Sequence, residues 1–436
     1  MTLHPRRVAV VGSGISGLSV AHALADEASV VLYEAGDYFG GHTHTVDITL
    51  EGVTHGVDTG FLVFNERTYP NLIRLFGELE VETALSDMSF SVQVPDIGLE
   101  WSGSSLDTVF AQRRNLGRPA FWHMLFDVLR FNRLATAMAR QGHDAPTPSI
   151  GKFLDQQRFG AEFRDWYFLP MIGCIWSCPT EQMLSFPIAT MVRFCDNHGL
   201  IQVTNRPRWF TVKGGARNYV DRLLERIGDA RLRIPVRCVR RHRDIDQVSV
   251  STDHGTEWFD EVVLACHSDQ SLALLADATQ AEREVLGAIR YHRNRAVLHT
   301  DEAVLPTRRA AWAAWNYERA SSGPQEQSAV CLHYLINRLQ PLPFKTPVVV
   351  TLNPIVEPRA DTVHGEYDYA HPVFDGPAIE AQRRVPTLQG VDDTWFCGAW
   401  TRYGFHEDGL MSGLAVVEGM RRRWASQHAR AATVVA

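Results

Sequence analysis

Val8-Ala9-Val10-Val11-Gly12-Ser13-Gly14-Ile15-Ser16-Gly17 is the stretch on which the fold turns. The four apolar residues suit a buried strand, and the glycines follow at once. Residues 18–25 are small and apolar enough for a helix, and 29–34 reads as a second strand ending in Glu34. Strand, glycine turn, helix, strand and acid is the order of a dinucleotide-binding unit. Gly12 permits the tight turn, Gly14 lets backbone approach a pyrophosphate, and Gly17 lets helix and sheet pack closely. The helix N-terminus offers unpaired N–H groups to phosphates. Glu34 follows Gly12 by 22 residues, where a carboxylate can accept both ribose hydroxyls.

A secretory signal is the competing reading of the same stretch, with Arg6-Arg7 ahead of it and Ala23-Leu24-Ala25 at its end. Three glycines and three serines weaken it as an apolar signal core, and cleavage would destroy the nucleotide unit. The whole chain of 436 residues is long enough for two or three structural units. Its formal charge of −7 argues against a nucleic-acid partner. Seven irregularly spaced cysteines do not form a disulfide framework and fit a reducing compartment. No further run of 18 uncharged apolar residues occurs, so no transmembrane helix is expected. The expected location is cytoplasmic, with peripheral contact on the inner face of the membrane.

Further along, Gly40-Gly41-His42-Thr43 suits a loop passing close to a ligand. Residues 46–50 and 54–58 read as a hairpin closed by Asp58-Thr59-Gly60-Phe61, and 69–79 as a helix. Segments 90–94 and 99–101 look like strands of a different sheet. Residues 113–141 are mostly helical, with Phe121, Trp122, Leu125, Phe126, Leu129 and Leu134 on an apolar side. Arg118, Arg130, Arg133 and Arg140 form the polar side. That pattern fits a core-facing helix with a solvated edge, or an interfacial helix on anionic lipid. A helix over 163–175 is expected to break at Pro170. Cys174 and Cys178 lack a second ligand pair and read as buried thiols. The aromatic-rich segment from about residue 90 to 209 suits an inserted substrate domain with an apolar cavity. After it come a helix over 213–227, a strand over 231–240 and a buried strand at 262–265. Residues 296–300, 310–317 and 329–335 read as strands of the second sheet. The last strand is 394–399, followed by a loop, a helix over 410–424 and a disordered tail after Gln427.

Gly409-Leu410-Met411-Ser412-Gly413 reads as a second helix N-terminus facing an anion or ring edge. A nucleotide held from both chain ends fits FAD better than NAD. At this point the chain resembles the flavin-containing amine oxidase and phytoene desaturase superfamily. The resemblance rests on the glycine turn, Glu34, Gly40-Gly41, Asp58 to Phe61, Gly214-Gly215, Val236 and the segment from Gly398 to Gly413. It is nearest to bacterial NAD/FAD-binding flavoproteins carrying Gly-Gly-His-Thr, here 40–43, and Gly-Phe-His-Glu-Asp-Gly-Leu, here 404–410. That branch is associated with fatty-acyl modification, including a desaturase in furan fatty acid formation.

The resemblance implies an α/β fold, with a Rossmann-like, amine-oxidase-like FAD-binding domain and an interleaved substrate domain of mixed sheet plus helices. The FAD-binding domain is expected at 1–85, 213–288 and 391–428. The substrate domain is expected at 86–212 with a helical cap and 289–390 as sheet, and 429–436 as a tail. FAD, bound non-covalently, would contact Gly12, Ser13, Gly14, Ile15, Ser16, Gly17, Glu34, Ala35, Gly41, His42 and Thr43. Thr59, Gly60 and Phe61 would approach the ring and Val236 the adenine. Gly398, Ala399, Gly409, Leu410, Met411 and Gly413 would complete the cradle. Trp176, Trp209 and Trp400 are the candidate substrate walls, and Tyr403, His406 and Glu407 the candidate catalytic groups. His42, His44 and His55 have no carboxylate cluster beside them, so no metal site is expected.

Two departures from the superfamily stand out. His42 replaces the arginine often found after the glycine pair. The lysine that amine oxidases keep near the flavin has only Lys345 as a candidate, because Lys213 belongs to the Gly214-Gly215 segment. Amine oxidation therefore ranks behind acyl desaturation or double-bond isomerisation, with a non-catalytic flavoprotein subunit as the remaining alternative.

Overall fold

A computed structural model describes residues 6–141, 147–176, 180–202, 206–319 and 330–435. Strand Arg7–Val11 is the centre of a five-stranded sheet. Its order is Asp229–Arg231, Ser29–Tyr33, Arg7–Val11, Glu261–Leu264 and Thr394–Phe396, and every pairing is parallel. Val8, Ala9 and Val10 are fully buried, as expected for a strand covered on both faces. Helix Ile15–Leu24 covers one face together with the C-terminal helix His406–Val435. Glycines make that helix pair possible. A Cβ on Gly409 would lie 2.8 Å from Ile15 Cγ2, and one on Gly413 would lie 2.4 Å from Ser19 Oγ.

The second sheet has seven strands, ordered Val363–Pro372, Tyr291–His299, Val349–Leu352, Cys331–Leu335, Trp315–Glu318, Phe90–Val94 and Leu99–Ser102. It shares one apolar core with helices Pro119–Gln141, Leu169–Trp176 and Ile188–Asn197. A smaller sheet of Phe64–Asn65, Trp209–Val212 and Thr83–Ser86 joins the two regions. The boundary expected at 85/86 therefore falls inside a strand.

Several sequence expectations are corrected. The strand over 231–240 is two strands, Asp229–Arg231 in the parallel sheet and Val236–His242 in a separate antiparallel sheet. Arg233 at φ +59° and Pro235 turn the chain between them. The strand over 310–317 starts only at Trp315, after a tight helical turn at Arg309–Ala311. Pro170 does not break its helix. A wide turn over Arg164–Phe168, in which Leu169 N–H reaches Arg164 O, precedes Leu169–Trp176 and absorbs the missing donor. The C-terminal helix begins at His406 rather than 410 and continues to Val435, so the expected tail is helical. On Pro119–Gln141 the buried residues are Phe121, Met124, Phe131 and Ala135, while Trp122, Phe126 and Leu129 are exposed. Cys174 is buried, and Cys178 lies outside the described residues. Among the described residues no helix is long and apolar enough to cross a membrane.

Candidate active site

A cavity of about 810 Å³ opens at the C-terminal ends of the parallel strands and continues under the seven-stranded sheet. Its first part is built by the glycine turn. Gly12 sits at φ +102°, with Ala265 backbone 3.1 Å from where a Cβ would be. A Cβ on Gly17 would lie 1.9 Å from Gly12 O, so helix and strand touch there. A Cβ on Gly14 meets nothing within 4 Å, and Gly14 borders the cavity. No side chain caps helix Ile15–Leu24, which leaves its first amides for a bound anion. Gly40 N–H donates to Ser13 O at 3.1 Å, and Gly41 comes within 3.2 Å of Gly14 Cα by its would-be Cβ. Glu34 accepts Ser13 N–H at 3.0 Å, Ser13 Oγ–H at 2.5 Å and Gly36 N–H at 2.7 Å, with lone pairs left for ribose hydroxyls. Val236, Gly398 and Ala399 line the same end. Open space at Gly14, uncapped amides and a fixed carboxylate are what a dinucleotide requires, so these residues fit FAD.

The middle of the cavity carries histidines and tyrosines. Asp58 is buried and accepts Thr45 Oγ–H, Ala216 N–H at 2.9 Å and Gln340 Nε2–H at 2.6 Å. It anchors the turn that presents Thr59, Gly60 and Phe61. Gly60 is required there, because a Cβ would lie 2.2 Å from His42 O. Phe61 stacks on His406 with ring centroids 3.7 Å apart. His406 Nε2 contacts Tyr219 OH at 2.7 Å and Thr43 Oγ1 at 3.0 Å. The His42 ring lies 5.3 Å from those of Tyr369 and His371 and 6.0 Å from His267. His42 Nε2 is buried without a protein partner.

Burial is the first cause that lowers the pKa of each histidine, to about 4 for His42 and His267 and about 3 for His371 and His406. Repulsion among the rings adds to it for each. The fold therefore holds them neutral, and the unfolded chain binds more protons below the usual imidazole value of 6.5. Their stabilisation is complete above about pH 6.5 and is lost as pH falls toward 4–3. The thermal midpoint of flavin-stripped protein is expected to drop across that window, less steeply in His371→Gln. An unchanged slope in the variant would contradict this assignment.

The far end is apolar, with Met88, Phe90, Met171, Ile175, Phe194 and Leu200 in its wall. Trp176 and Trp209 line the cavity there as well. Trp400 also lines the cavity, but at the nucleotide end. It belongs to the same apolar core as Val236 and Phe396 and donates its Nε1–H to Cys266 O at 3.1 Å.

Other expected site residues lie outside the wall. Glu407 instead caps helix Pro70–Glu78, accepting Asn71 N–H and Leu72 N–H, both at 3.0 Å. Tyr403 packs toward Phe194 at 6.4 Å between centroids and is not in the wall. Gly17, Gly409 and Gly413 serve close backbone and helix packing. Gly409 N–H already bonds to Phe405 O, so the Leu410 and Met411 amides lie inside the helix rather than at its open end. Thr43 is buried behind the wall, where it holds His406. His267, His371, Tyr369 and Tyr219 were not foreseen, because each is a single residue in a remote segment with no local pattern.

One group could offer metal ligands among the described residues, Glu318, Cys331 and His333. Its members already pair, with His333 Nε2 2.9 Å from Glu318 Oε2 and Nδ1 2.9 Å from Thr351 Oγ1.

The family model described as flavin containing amine oxidoreductase matches residues 15–328. Comparison with curated proteins gives no match. Among solved structures, a CLA-producing fatty acid isomerase from P. acnes is 14% identical, with 95% of this chain and 98% of that chain covered and a TM-score of 0.66. Cyclohexylamine oxidase from Brevibacterium oxydans IH-35A is 15% identical, with 96% and 100% covered and a TM-score of 0.65. Putrescine oxidase bound to putrescine is 18% identical, with 96% and 99% covered and a TM-score of 0.67. At these identities the likeness is one of fold alone.

Proposed function

The chain belongs to the flavin-containing amine oxidoreductases, FAD-dependent oxidoreductases, and from that premise we propose that it desaturates fatty-acyl chains, including methyl-branched chains carried on phospholipid. The observation that carries this reading is the make-up of the cavity wall. Among the described residues the only carboxylate in it is Glu34, at the nucleotide end, and no lysine reaches it. Lys213 is exposed and paired with Glu82, and Lys345 is exposed. An ammonium substrate would find no counter-charge at the apolar end, whereas an alkyl chain gains by leaving water.

FAD, when bound, supplies a two-electron acceptor for a hydride from the substrate. Trp176, Phe194 and Leu200 line the apolar end, where they would exclude water from the chain. The proton on the neighbouring carbon, made acidic by hydride loss, needs only a weak acceptor. His42 Nε2, neutral and unpartnered in the wall, is the candidate for that acceptor.

The test is an electron balance with unsaturated phospholipid. Desaturation yields a product lighter by two hydrogens and consumes one equivalent of acceptor. A product of unchanged mass with no acceptor consumed would replace desaturase by isomerase, and peroxide release with amines alone would replace it by amine oxidase.

A further inference from the structure

Helix Pro119–Gln141 buries Phe121, Met124, Phe131 and Ala135 against the core, so its other face has no folding reason to be apolar. Yet Trp122 is 38%, Phe126 63% and Leu129 59% exposed on that face. Leu116 and Leu106, just upstream, are 50% and 80% exposed. The patch is fixed in place: Trp122 Nε1–H donates to Leu116 O at 2.9 Å, and its ring packs 5.4 Å from Phe110 and 6.3 Å from Phe126. Arg133 and Arg140 continue the same face at helical spacing. Residues 106–141 hold six arginines against two aspartates. Arg113 and Arg130 pair with those aspartates, Arg114 bonds to Gly98 O and Arg118 packs over Trp166, so Arg133 and Arg140 are the cations this face presents, in a chain of net charge −7.

We propose that this face docks the protein on an anionic phospholipid bilayer. Trp122, Phe126, Leu129 and Leu116 enter the headgroup–acyl boundary, and Arg133 and Arg140 meet the lipid phosphates. The charge selects this occupant over a second copy of the chain, since a two-fold contact through the patch would set one positive surface on another. The docking is read with lipid alone, so it stands or falls separately from the acyl-desaturase reading.

The experiment is flotation of the full-length, FAD-loaded protein with two kinds of vesicle. One mixes phosphatidylglycerol with phosphatidylcholine, and the other is phosphatidylcholine alone. Binding to the anionic vesicles is expected to be at least about tenfold tighter, at roughly 1 kcal/mol per arginine near the surface. The Phe126→Glu/Leu129→Glu double variant is expected to lose it while keeping its flavin content, since both side chains are exposed. No flotation of the wild type with anionic vesicles would overturn the proposal, as would undiminished binding by the variant. A solution dimer broken by the same variant, without flotation, would assign the face to a second copy and overturn it as well.

Discussion

Gly17→Val is expected to leave a protein that neither retains FAD nor folds stably. The introduced Cβ would sit 1.9 Å from Gly12 O, 3.0 Å from Gly12 C and 3.1 Å from Ala265 Cβ. Two of those atoms are backbone of the turn itself, so no side chain can swing away. Helix Ile15–Leu24 would have to lift off the sheet and take the C-terminal helix with it. Overpacking of this kind costs about 3 kcal/mol or more, a large part of a domain's net stability. Gly14→Ala is the control. Its Cβ has open space and borders the cavity, so that variant keeps its fold and loses FAD affinity by crowding the bound pyrophosphate. Flavin absorbance per mole of protein, with the thermal midpoint of both variants, checks the pair. Equal flavin content and equal midpoints would contradict the assigned roles.

Ile175→Trp is expected to cut acyl turnover about 100-fold while sparing FAD. Ile175 lines the apolar end and is only partly buried, so a larger ring projects into the cavity instead of the core. The nucleotide end, built by Gly12 to Ser16 and Glu34, is remote from it in the wall. A loss of roughly 100-fold in kcat/KM on long acyl chains follows from blocking an apolar subsite, with the flavin-to-protein ratio unchanged. Undiminished turnover would show that acyl chains do not use this end.

The nucleotide end was legible in the sequence because its parts are contiguous. Turn, helix N-terminus and acid fall within residues 12–34, and phosphate recognition needs only local backbone. In the C-terminal segment Gly398, Ala399 and His406 line the cavity, whereas Gly409 and Gly413 do not, for a physical reason. Glycine is required wherever backbone comes close, and a sequence does not say whether the neighbour is a ligand or a helix. Gly409 and Gly413 look like a cradle and are helix-packing glycines. Glu407 looked like a base beside the flavin and instead caps a helix 335 residues away in sequence. His42, His267 and His371 meet only through tertiary structure, so no spacing reveals them. In Pro119–Gln141 both faces carry apolar residues, and periodicity cannot choose which one is buried.

The most direct test is anaerobic mixing of FAD-loaded protein with unsaturated phospholipid or with simple amines, following the visible flavin absorbance. An acyl oxidoreductase bleaches with the lipid and keeps its colour with the amines. Bleaching by amines and not by lipid would contradict the assignment of the cavity to acyl chains.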